Sequence, residues 1–244
     1  MPRVITTAII KGGAGKSTTT AALAQAGADE GRRVLVIDMD PQGNLTAFVG
    51  AEQSEAGVFA MLHDAVPNIQ HTEQGVDVIA ASPDLATERT TPGSAMRLAA
   101  ALEPIKEGYD LILIDTPPHM GELAFNALQA ADGLLVPMEA DNSSVQGLYQ
   151  VADIAGQIRR NSNPGLRVLG TVITRYDPRP KINRFFLDAI RERGQEVGAP
   201  LLMAIRVGVA VREAQAMGES LYQYAPRSKP AQDYKKLFNM IMEE

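Results

Sequence analysis

The sequence contains no cysteine. Disulfides, thiolate zinc sites, iron–sulfur clusters and cysteine nucleophiles are therefore excluded together. No apolar run approaches the ~20 residues that a membrane-spanning helix requires, so we expect no segment to cross a bilayer. Low-complexity segments and internal repeats are also lacking, and the N-terminal MPRVITTAII runs straight into a glycine-rich loop without a separate targeting region. These absences predict a cytoplasmic protein.

Positive charge is scarce on average but is concentrated in one part of the chain. The 244 residues carry a formal net charge of -6. Residues 159–236 nevertheless hold 15 Lys and Arg against 7 Asp and Glu, so a basic region lies within an acidic chain. Such a region is either a surface for an anionic partner or a set of solvated helix faces, and the sequence leaves both interpretations open.

Short apolar runs alternate with longer amphipathic segments along the chain. This alternation predicts an α/β fold with a doubly wound, mainly parallel sheet and right-handed crossovers. With 45% apolar residues, a single domain over residues 1–244 is the simplest organisation, and residues 50–91 receive no assignment. The predicted strands are Val4–Ile10, Val34–Ile37, Val76–Ala80, Leu111–Ile114, Leu134–Pro137, Val168–Thr174 and Leu201–Ile205. The predicted helices are Lys16–Asp29, Ala95–Lys106, Leu123–Ala130, Ser144–Arg160, Asn183–Glu196 and a C-terminal one at about Ala231–Met242.

The segment KGGAGKS, from Lys11 to Ser17, follows a predicted strand and opens a predicted helix. Glycines let the backbone turn so that successive N–H groups face inward, and the helix N-terminus adds partial positive charge toward a bound anion. Lys16 is expected to reach the β- and γ-phosphates of a nucleotide, and the Ser17 hydroxyl is expected to ligate Mg²⁺. A glycine-rich turn that only capped a helix would not need the Lys-Ser pair. The predicted cofactor-binding residues are Lys11, Gly12, Gly13, Ala14, Gly15, Lys16, Ser17 and Thr18.

The loop departs from the general phosphate-loop pattern, because Ile10 stands where the first glycine is expected. It carries a second lysine, Lys11, and in this it resembles the deviant phosphate loop of the ParA/MinD family of ATPases. In that family the extra lysine crosses a dimer interface to the partner's nucleotide. The resemblance therefore implies ATP as cofactor, a homodimer in the ATP state, and a catalytic role in trans for Lys11 beside Lys16. Such a cation neutralises charge on the transferring phosphoryl group only when the dimer is assembled.

Two carboxylate motifs stand at the ends of predicted strands, where α/β sheets place their ligands. The segment VIDMDPQGN, with Asp38 and Asp40, resembles the second motif of the family. The resemblance implies that Asp38 helps to hold the metal and that Asp40 orients the attacking water. The segment LIDTPP resembles the Walker B segment of the family, which implies that Asp115 supports Mg²⁺ through Ser17 and water.

Further segments resemble partition ATPases of the ParA/Soj type, so the resemblance covers nearly the whole chain. They are AAD at residues 130–132, TRYDPR at 174–179 and RSKPAQDY at 227–234. Iron-protein relatives need cysteines, and MinD-like relatives end in a basic amphipathic helix, whereas this chain ends in the acidic NMIMEE. We therefore expect no membrane partner. Because the chain begins just before its first predicted strand, no N-terminal DNA-reading extension is expected. The resemblance implies a weak ATPase that a ParB-like adaptor stimulates.

Shorter members of this type bind nonspecific DNA as ATP dimers, through basic side chains on the phosphates, which implies association with the nucleoid. Arg179 matches one DNA-contact arginine of the family. The segment that carries another, Pro-Arg-Asn-Val-Arg, is replaced here by IRVGVAVR, with Ala210 at the matching position. Basic residues nearby are expected to compensate. The predicted nucleic-acid residues are Arg179, Lys181, Arg206, Arg212 and Lys229.

The predicted function is a dimerising switch that drives segregation of a plasmid or chromosome. Two alternatives remain open at this stage. One is an ATPase of the same family that positions a protein cargo, such as a chemosensory array or a microcompartment. The other is an ATP-dependent small-molecule synthase on the same fold, with its phosphate chemistry directed at a small acid rather than at water.

Overall fold

Eight strands form one sheet in the computed structural model, which describes residues 3–91 and 93–243. The strands are β1 (Arg3–Thr7), β2 (Val34–Asp38), β3 (Ile69–His71), β4 (Asp77–Ile79), β5 (Leu111–Asp115), β6 (Gly133–Met138), β7 (Arg167–Tyr176) and β8 (Leu201–Arg206). Their spatial order is β3-β4-β2-β5-β1-β6-β7-β8, and each neighbouring pair is parallel except β3 with β4. The predicted doubly wound, mainly parallel sheet is confirmed.

Helices connect most of the strands and cover both faces of the sheet. They are α1 (Lys16–Asp29), α2 (Asn44–Phe48), α3 (Val58–Leu62), α4 (Arg97–Leu102), α5 (Glu122–Ala130), α6 (Asn142–Asn161), α7 (Lys181–Glu196), α8 (Val209–Met217), α9 (Leu221–Tyr224) and α10 (Lys229–Glu243). In the described part of the chain, no helix has both the length and the apolar character needed to cross a membrane.

Successive side chains of each strand point to opposite faces of the sheet, so the core has two layers. In β5, Leu111 and Leu113 pack into a cluster that includes Phe238 of α10, whereas Ile112 and Ile114 pack into the cluster formed with α5 and α6. All four β5 side chains are buried, because helices cover the sheet on both sides. The run of four aliphatic residues is therefore explained by burial of successive side chains on opposite faces.

Helix α1 begins at Lys16 and ends at Asp29, as the sequence predicts. Two other predicted elements differ from the structure by three or more residues at one end. The first strand ends at Thr7 rather than at Ile10, because the following residues turn into the glycine-rich loop. The helix predicted from Ala95 to Lys106 is reduced to α4, with short 3₁₀ turns at Ser94–Met96 and Lys106–Gly108. Pro104 has no backbone N–H to donate to the carbonyl four residues back, so α-helical hydrogen bonding cannot continue past it, and α4 ends at Leu102.

Residues 50–91, which received no assignment, contain α3, β3 and β4 and a 3₁₀ turn at Pro83–Thr87. Strand β3 runs antiparallel to β4 and forms one edge of the sheet. Predictions that extend to Met1, Pro2, Pro92 or Glu244 lie outside the described residues at those positions.

The carboxyl ends of the parallel strands meet along one edge of the sheet. Thr7 of β1 and Asp38 of β2 are both in register with Asp115 of β5. Strand β1 lies between β5 and β6. The strands that follow β1 in sequence are added first on its β5 side and then, from β6 onward, on its other side. Ligands of such folds usually bind at the point where this direction reverses, and the loop after β1 lies there.

Candidate functional site

The loop between β1 and α1 has the backbone of a phosphate cradle. Gly13 and Gly15 adopt positive φ angles of 71° and 87°, which residues with a Cβ atom rarely adopt. At Gly15 the restriction is also steric, because an added Cβ would lie 2.9 Å from Cγ2 of Thr174. Ala14, between the two glycines, is fully buried. These residues lead directly into the N-terminus of α1, where backbone N–H groups favour an anion.

Lys16 begins α1 and is buried, with 6% of its surface exposed. Burial lowers the pKa of its ammonium group, while the carboxylates of Asp115 and Asp40 act in the opposite direction. A buried cation among acidic groups is unfavourable for folding and is typical of functional sites. Its place at the head of α1 is consistent with the predicted contact to the β- and γ-phosphates.

Asp115 ends β5 and is completely buried. Its Oδ1 accepts a hydrogen bond from Thr7 Oγ1 at 3.2 Å, whereas its buried Oδ2 has no partner among residues 3–91 and 93–243. Burial raises the pKa of Asp115, and the charge of Asp38 raises it further, against the opposing effects of the Ser17 hydroxyl and Lys16. A buried carboxylate oxygen left without a partner beside a serine hydroxyl fits a group that supports a hydrated cation.

The described residues contain no group of three or more His, Asp or Glu side chains arranged to hold a metal ion by themselves. Mg²⁺ usually keeps several water ligands and takes one or two protein groups together with substrate phosphates. The Ser17 hydroxyl and the unpaired oxygen of Asp115 fit this mode of binding, in which Mg²⁺ and the phosphates share one site.

Asp38 ends β2, and both of its carboxylate oxygens accept hydrogen bonds. Oδ1 accepts from the backbone N–H of Asp40 at 3.1 Å, and Oδ2 accepts from the N–H and the hydroxyl of Thr46, both at 2.8 Å. Burial raises the pKa of Asp38, and these hydrogen bonds only partly offset the shift. Asp38 thus fixes the turn that carries Asp40, and its role in the metal shell stays a prediction.

A cavity of about 730 Å³ lies against the phosphate loop, and this volume is in the range of small-molecule sites. Residues 12–18 form part of its lining, together with the Asp40 side chain. Other parts of the lining come from residues 205–209, which include the end of β8, and from Tyr234 of α10. The cavity therefore has room for a nucleoside beside the phosphate loop.

Lys11 is held by two acidic residues that follow β6. Its ammonium group contacts the carboxylate of Asp141 and lies 3.5 Å from Glu139 Oε2. Burial acts to raise the pKa of Asp141, but hydrogen bonds from Lys11 and Ser144 lower it to about 2. The described residues that line the cavity do not include Lys11. The two lysines of the loop therefore have different surroundings.

The residues predicted for nucleic-acid contact lie in different environments. Arg179 is exposed, but it donates to both carboxylate oxygens of Asp177, and this contact lowers the pKa of Asp177 to about 2. Arg206 forms an ion pair with Asp233 of α10. The other three predicted residues are exposed, and they are Lys181, Arg212 and Lys229.

Ala210 takes the position of a family DNA-contact arginine, and it is turned inward. It is 9% exposed and packs into the cluster that contains Ala214 and Leu221. Arg212, two residues later on α8, is exposed. Position 210 therefore contributes to the core in this chain, and Arg212 presents the positive charge of this helix to solvent.

The sequence analysis gave no role to Thr174 and Arg175, at the end of β7. Thr174 Oγ1 donates to the carbonyl oxygen of Ala14 at 2.9 Å. The Arg175 guanidinium donates to the carbonyl oxygen of Gly13 and forms an ion pair with Glu139. Two signals were available, their position at the carboxyl end of a parallel strand and their place in the TRYDPR segment.

Comparisons with known proteins agree with this geometry. A family model described as an AAA domain matches residues 2–168. The chromosome-partitioning ATPase Soj of Thermus thermophilus is 35% identical over 239 residues, which cover 95% of this chain and 92% of that protein. The sporulation initiation inhibitor protein Soj of Bacillus subtilis is 32% identical over 247 residues, covering 97% of each chain.

The fold also has a close match among solved structures. A crystal structure described as cobyrinic acid a,c-diamide synthase from Mycobacterium smegmatis, with bound ADP and magnesium, has a TM-score of 0.84 and 29% sequence identity. It matches 100% of this chain and 95% of that one. The similarities to the two Soj proteins and to this structure thus extend over nearly the full length of both proteins.

Proposed function

Because the chain belongs to the ParA/Soj family of partition ATPases, we propose that it is a nucleotide-gated switch. ATP closes a dimer of two chains, the closed dimer holds nonspecific DNA, and hydrolysis releases the DNA. ATP hydrolysis, and the binding of a nucleotide with Mg²⁺, follow from the family and from the relative with bound ADP and magnesium. The dimer, the DNA and the timing of release are the proposed parts.

The different placement of the two loop lysines carries the proposal. Lys16 lines the cavity of its own chain, whereas Lys11 is held beside it by Asp141 and Glu139. A lysine that serves no group in its own cavity is available to the nucleotide of a partner chain. This supports hydrolysis in trans, which depends on the assembled dimer.

The predicted site residues have distinct roles in this scheme. Lys16 and the N–H groups of the loop bind the phosphates, and Ser17 and Asp115 support the Mg²⁺ that neutralises them. Asp40 orients the attacking water from a turn that Asp38 fixes. Turnover is slow in the isolated chain, because Lys11 must leave two carboxylates before it contributes to the reaction.

The DNA surface rests on exposed basic residues rather than on base-reading elements. Four of the predicted basic residues are exposed and offer phosphate contacts, which bind DNA without regard to sequence, and they are Arg179, Lys181, Arg212 and Lys229. A protein of this kind associates with the nucleoid, and a ParB-like adaptor would stimulate hydrolysis and couple the switch to its cargo.

A gel shift on a nonspecific duplex tests the proposal. The assay compares ATP, ADP and no nucleotide, at about 50 and about 200 mM salt, because phosphate contacts weaken steeply with salt. We expect binding only with ATP, weaker binding at the higher salt, and none with Lys16→Ala. Binding that is equal with ADP and ATP, or that survives Lys16→Ala, would contradict the switch.

A second candidate comes from the solved structure described as a cobyrinic acid a,c-diamide synthase, which matches the whole chain. In that case ADP formation would depend on cobyrinic acid and would not respond to DNA. We favour the partition switch, because the Soj relatives are more similar in sequence over comparable lengths. Measuring ADP release with each of the two additions separates the candidates.

A further inference from the structure

The end of β7 supports the phosphate loop through two consecutive residues. Thr174 Oγ1 donates to the carbonyl of Ala14, and the Arg175 guanidinium donates to the carbonyl of Gly13. In a trans peptide plane the carbonyl and the following N–H point in opposite directions. Holding these two carbonyls therefore fixes the directions of the N–H groups of Ala14 and Gly15. Backbone N–H groups at these positions are what a phosphate loop offers to its ligand.

The backbone is distorted where Arg175 reaches the loop. The pairing of β7 with β8 loses its register between Ile173 and Tyr176, as in a β-bulge, which re-aims the side chains that it contains. Arg175 has a φ angle of 51°, in the left-handed region that is unfavourable for residues with a Cβ atom. Unfavourable backbone of this kind concentrates at functional sites, where the surrounding contacts hold it in place.

Arg175 is also a fixed positive charge at the edge of the cavity. It lines the same cavity as Lys16, and its guanidinium forms an ion pair with Glu139. Glu139 in turn lies 3.5 Å from the Lys11 ammonium. The same guanidinium nitrogen, Nη2, contacts both the Glu139 carboxylate and the Gly13 carbonyl, so the carboxylate holds in place the nitrogen that donates to the loop.

We propose that Arg175 is a positioning residue for the phosphate loop and thereby sets the affinity for the phosphates of the nucleotide. It acts through the carbonyl of Gly13, whereas Lys16 and Ser17 contact the ligand. The inference rests on the nucleotide site of the proposed function, but it needs neither the dimer nor the DNA.

Three substitutions at position 175 separate the effect of the guanidinium from the effect of the left-handed backbone. Arg175→Gly removes the side chain and tolerates the positive φ angle, Arg175→Met keeps an uncharged chain of similar reach, and Arg175→Lys keeps the charge. Arg191→Met is the matched control, because Arg191 is an exposed arginine of α7 that pairs with Asp188. Calorimetric titration with Mg²⁺ and ADP gives the Kd, thermal unfolding without nucleotide gives the Tm, and ATP turnover gives KM and kcat.

We expect Arg175→Gly and Arg175→Met to weaken ADP binding about tenfold, which is the loss typical of one charge-assisted hydrogen bond. The KM for ATP should rise by a similar factor with a smaller change in kcat. Arg175→Lys should recover part of the affinity, and Arg191→Met should bind as wild type. Arg175→Gly should keep or raise the Tm, because glycine relieves the left-handed backbone.

Unchanged ADP affinity in both Arg175→Gly and Arg175→Met would overturn the proposal. A loss of ADP affinity that occurs only in variants with a lowered Tm would also overturn it, since that pattern indicates a purely structural ion pair. A wild-type protein that binds ADP but never binds DNA would instead overturn the proposed switch and leave the role of Arg175 intact.

Discussion

Arg206 donates side-chain hydrogen bonds to both carboxylate oxygens of Asp233, at 2.8 and 2.7 Å, and its backbone N–H donates a third at 3.0 Å. Asp233 is 5% exposed, so this contact holds a buried carboxylate of α10 against the end of β8. Arg206 is therefore engaged within the chain, although the sequence places it among the nucleic-acid residues.

Arg206 and Arg212 should respond in opposite ways when each is replaced by alanine. Arg206→Ala leaves Asp233 buried and poorly paired, and we expect it to lower the free energy of unfolding by about 2 kcal/mol. Arg212→Ala changes an exposed side chain and should cost less than about 0.5 kcal/mol. DNA affinity should fall more for Arg212→Ala, as measured by gel shift beside urea unfolding. Equal stability losses, or a larger loss of DNA binding for Arg206→Ala, would contradict this assignment.

Lys16→Met should remove the response to nucleotide without destabilising the protein. Burial of the ammonium group lowers its pKa and opposes folding, and methionine fills similar space without charge. In thermal unfolding we expect Mg²⁺ and ADP to raise the Tm of the wild type and to leave that of Lys16→Met unchanged. The Tm without nucleotide should be equal to or above the wild-type value. A variant that still gains Tm with ADP would show that Lys16 does not bind the phosphates.

Asp141→Asn should favour the ATP dimer. Asparagine keeps the cap of α6, where Oδ1 of Asp141 accepts from the Ser144 N–H at 2.8 Å, but it weakens the hold on Lys11. We expect the dimer dissociation constant with ATP to fall severalfold in analytical ultracentrifugation. Ser143→Ala is the control, since it removes a hydroxyl contact to the same carboxylate and leaves the ion pair intact. Weaker dimerisation in Asp141→Asn would mean that the contact supports the dimer.

Asp115 and Asp38 should make the protein without nucleotide less stable as the pH rises. Both carboxylates have a raised pKa in the folded state, mainly because of burial, so the folded protein binds more protons than the unfolded chain above their ordinary pKa. The stability that they contribute is fully present below that ordinary value and is lost as the pH rises through the raised values. The Tm should therefore fall from about pH 4 to about pH 8. Asp115→Asn should flatten this dependence of Tm on pH. An unchanged dependence would show that Asp115 does not cause it.

Some elements could be predicted from the sequence because their signals are local. Helix α1 has a glycine-rich start and a glycine after its end, and its boundaries match the predicted ones. The aliphatic run of β5 likewise predicts a strand that is buried on both faces. Strand β3, with three residues, and helix α9, with four, are too short to show a period of two or 3.6 residues, and they were not predicted.

The residues of the candidate site likewise include some that a local sequence signal predicts and others whose contacts depend on distant parts of the chain. The phosphate loop could be predicted from the spacing of Lys11, Lys16 and Ser17, because the residues that define its motif lie within seven positions of the sequence. The contact from Thr174 to Ala14 spans 160 residues, and its existence depends on where β7 lies in the sheet. The engagement of Arg206 could not be predicted for the same reason, since Asp233 is brought to it by the docking of α10.

The central position of β1 makes the order of synthesis important. Arg3 pairs with Leu111, so β1 has no neighbour in the sheet until more than one hundred further residues have emerged from the ribosome. The cavity is completed later still, because Tyr234 of α10 belongs to its lining. A nascent chain therefore acquires its full nucleotide cavity only after α10 has been made, and chains truncated before α10 should compete poorly for cellular ATP.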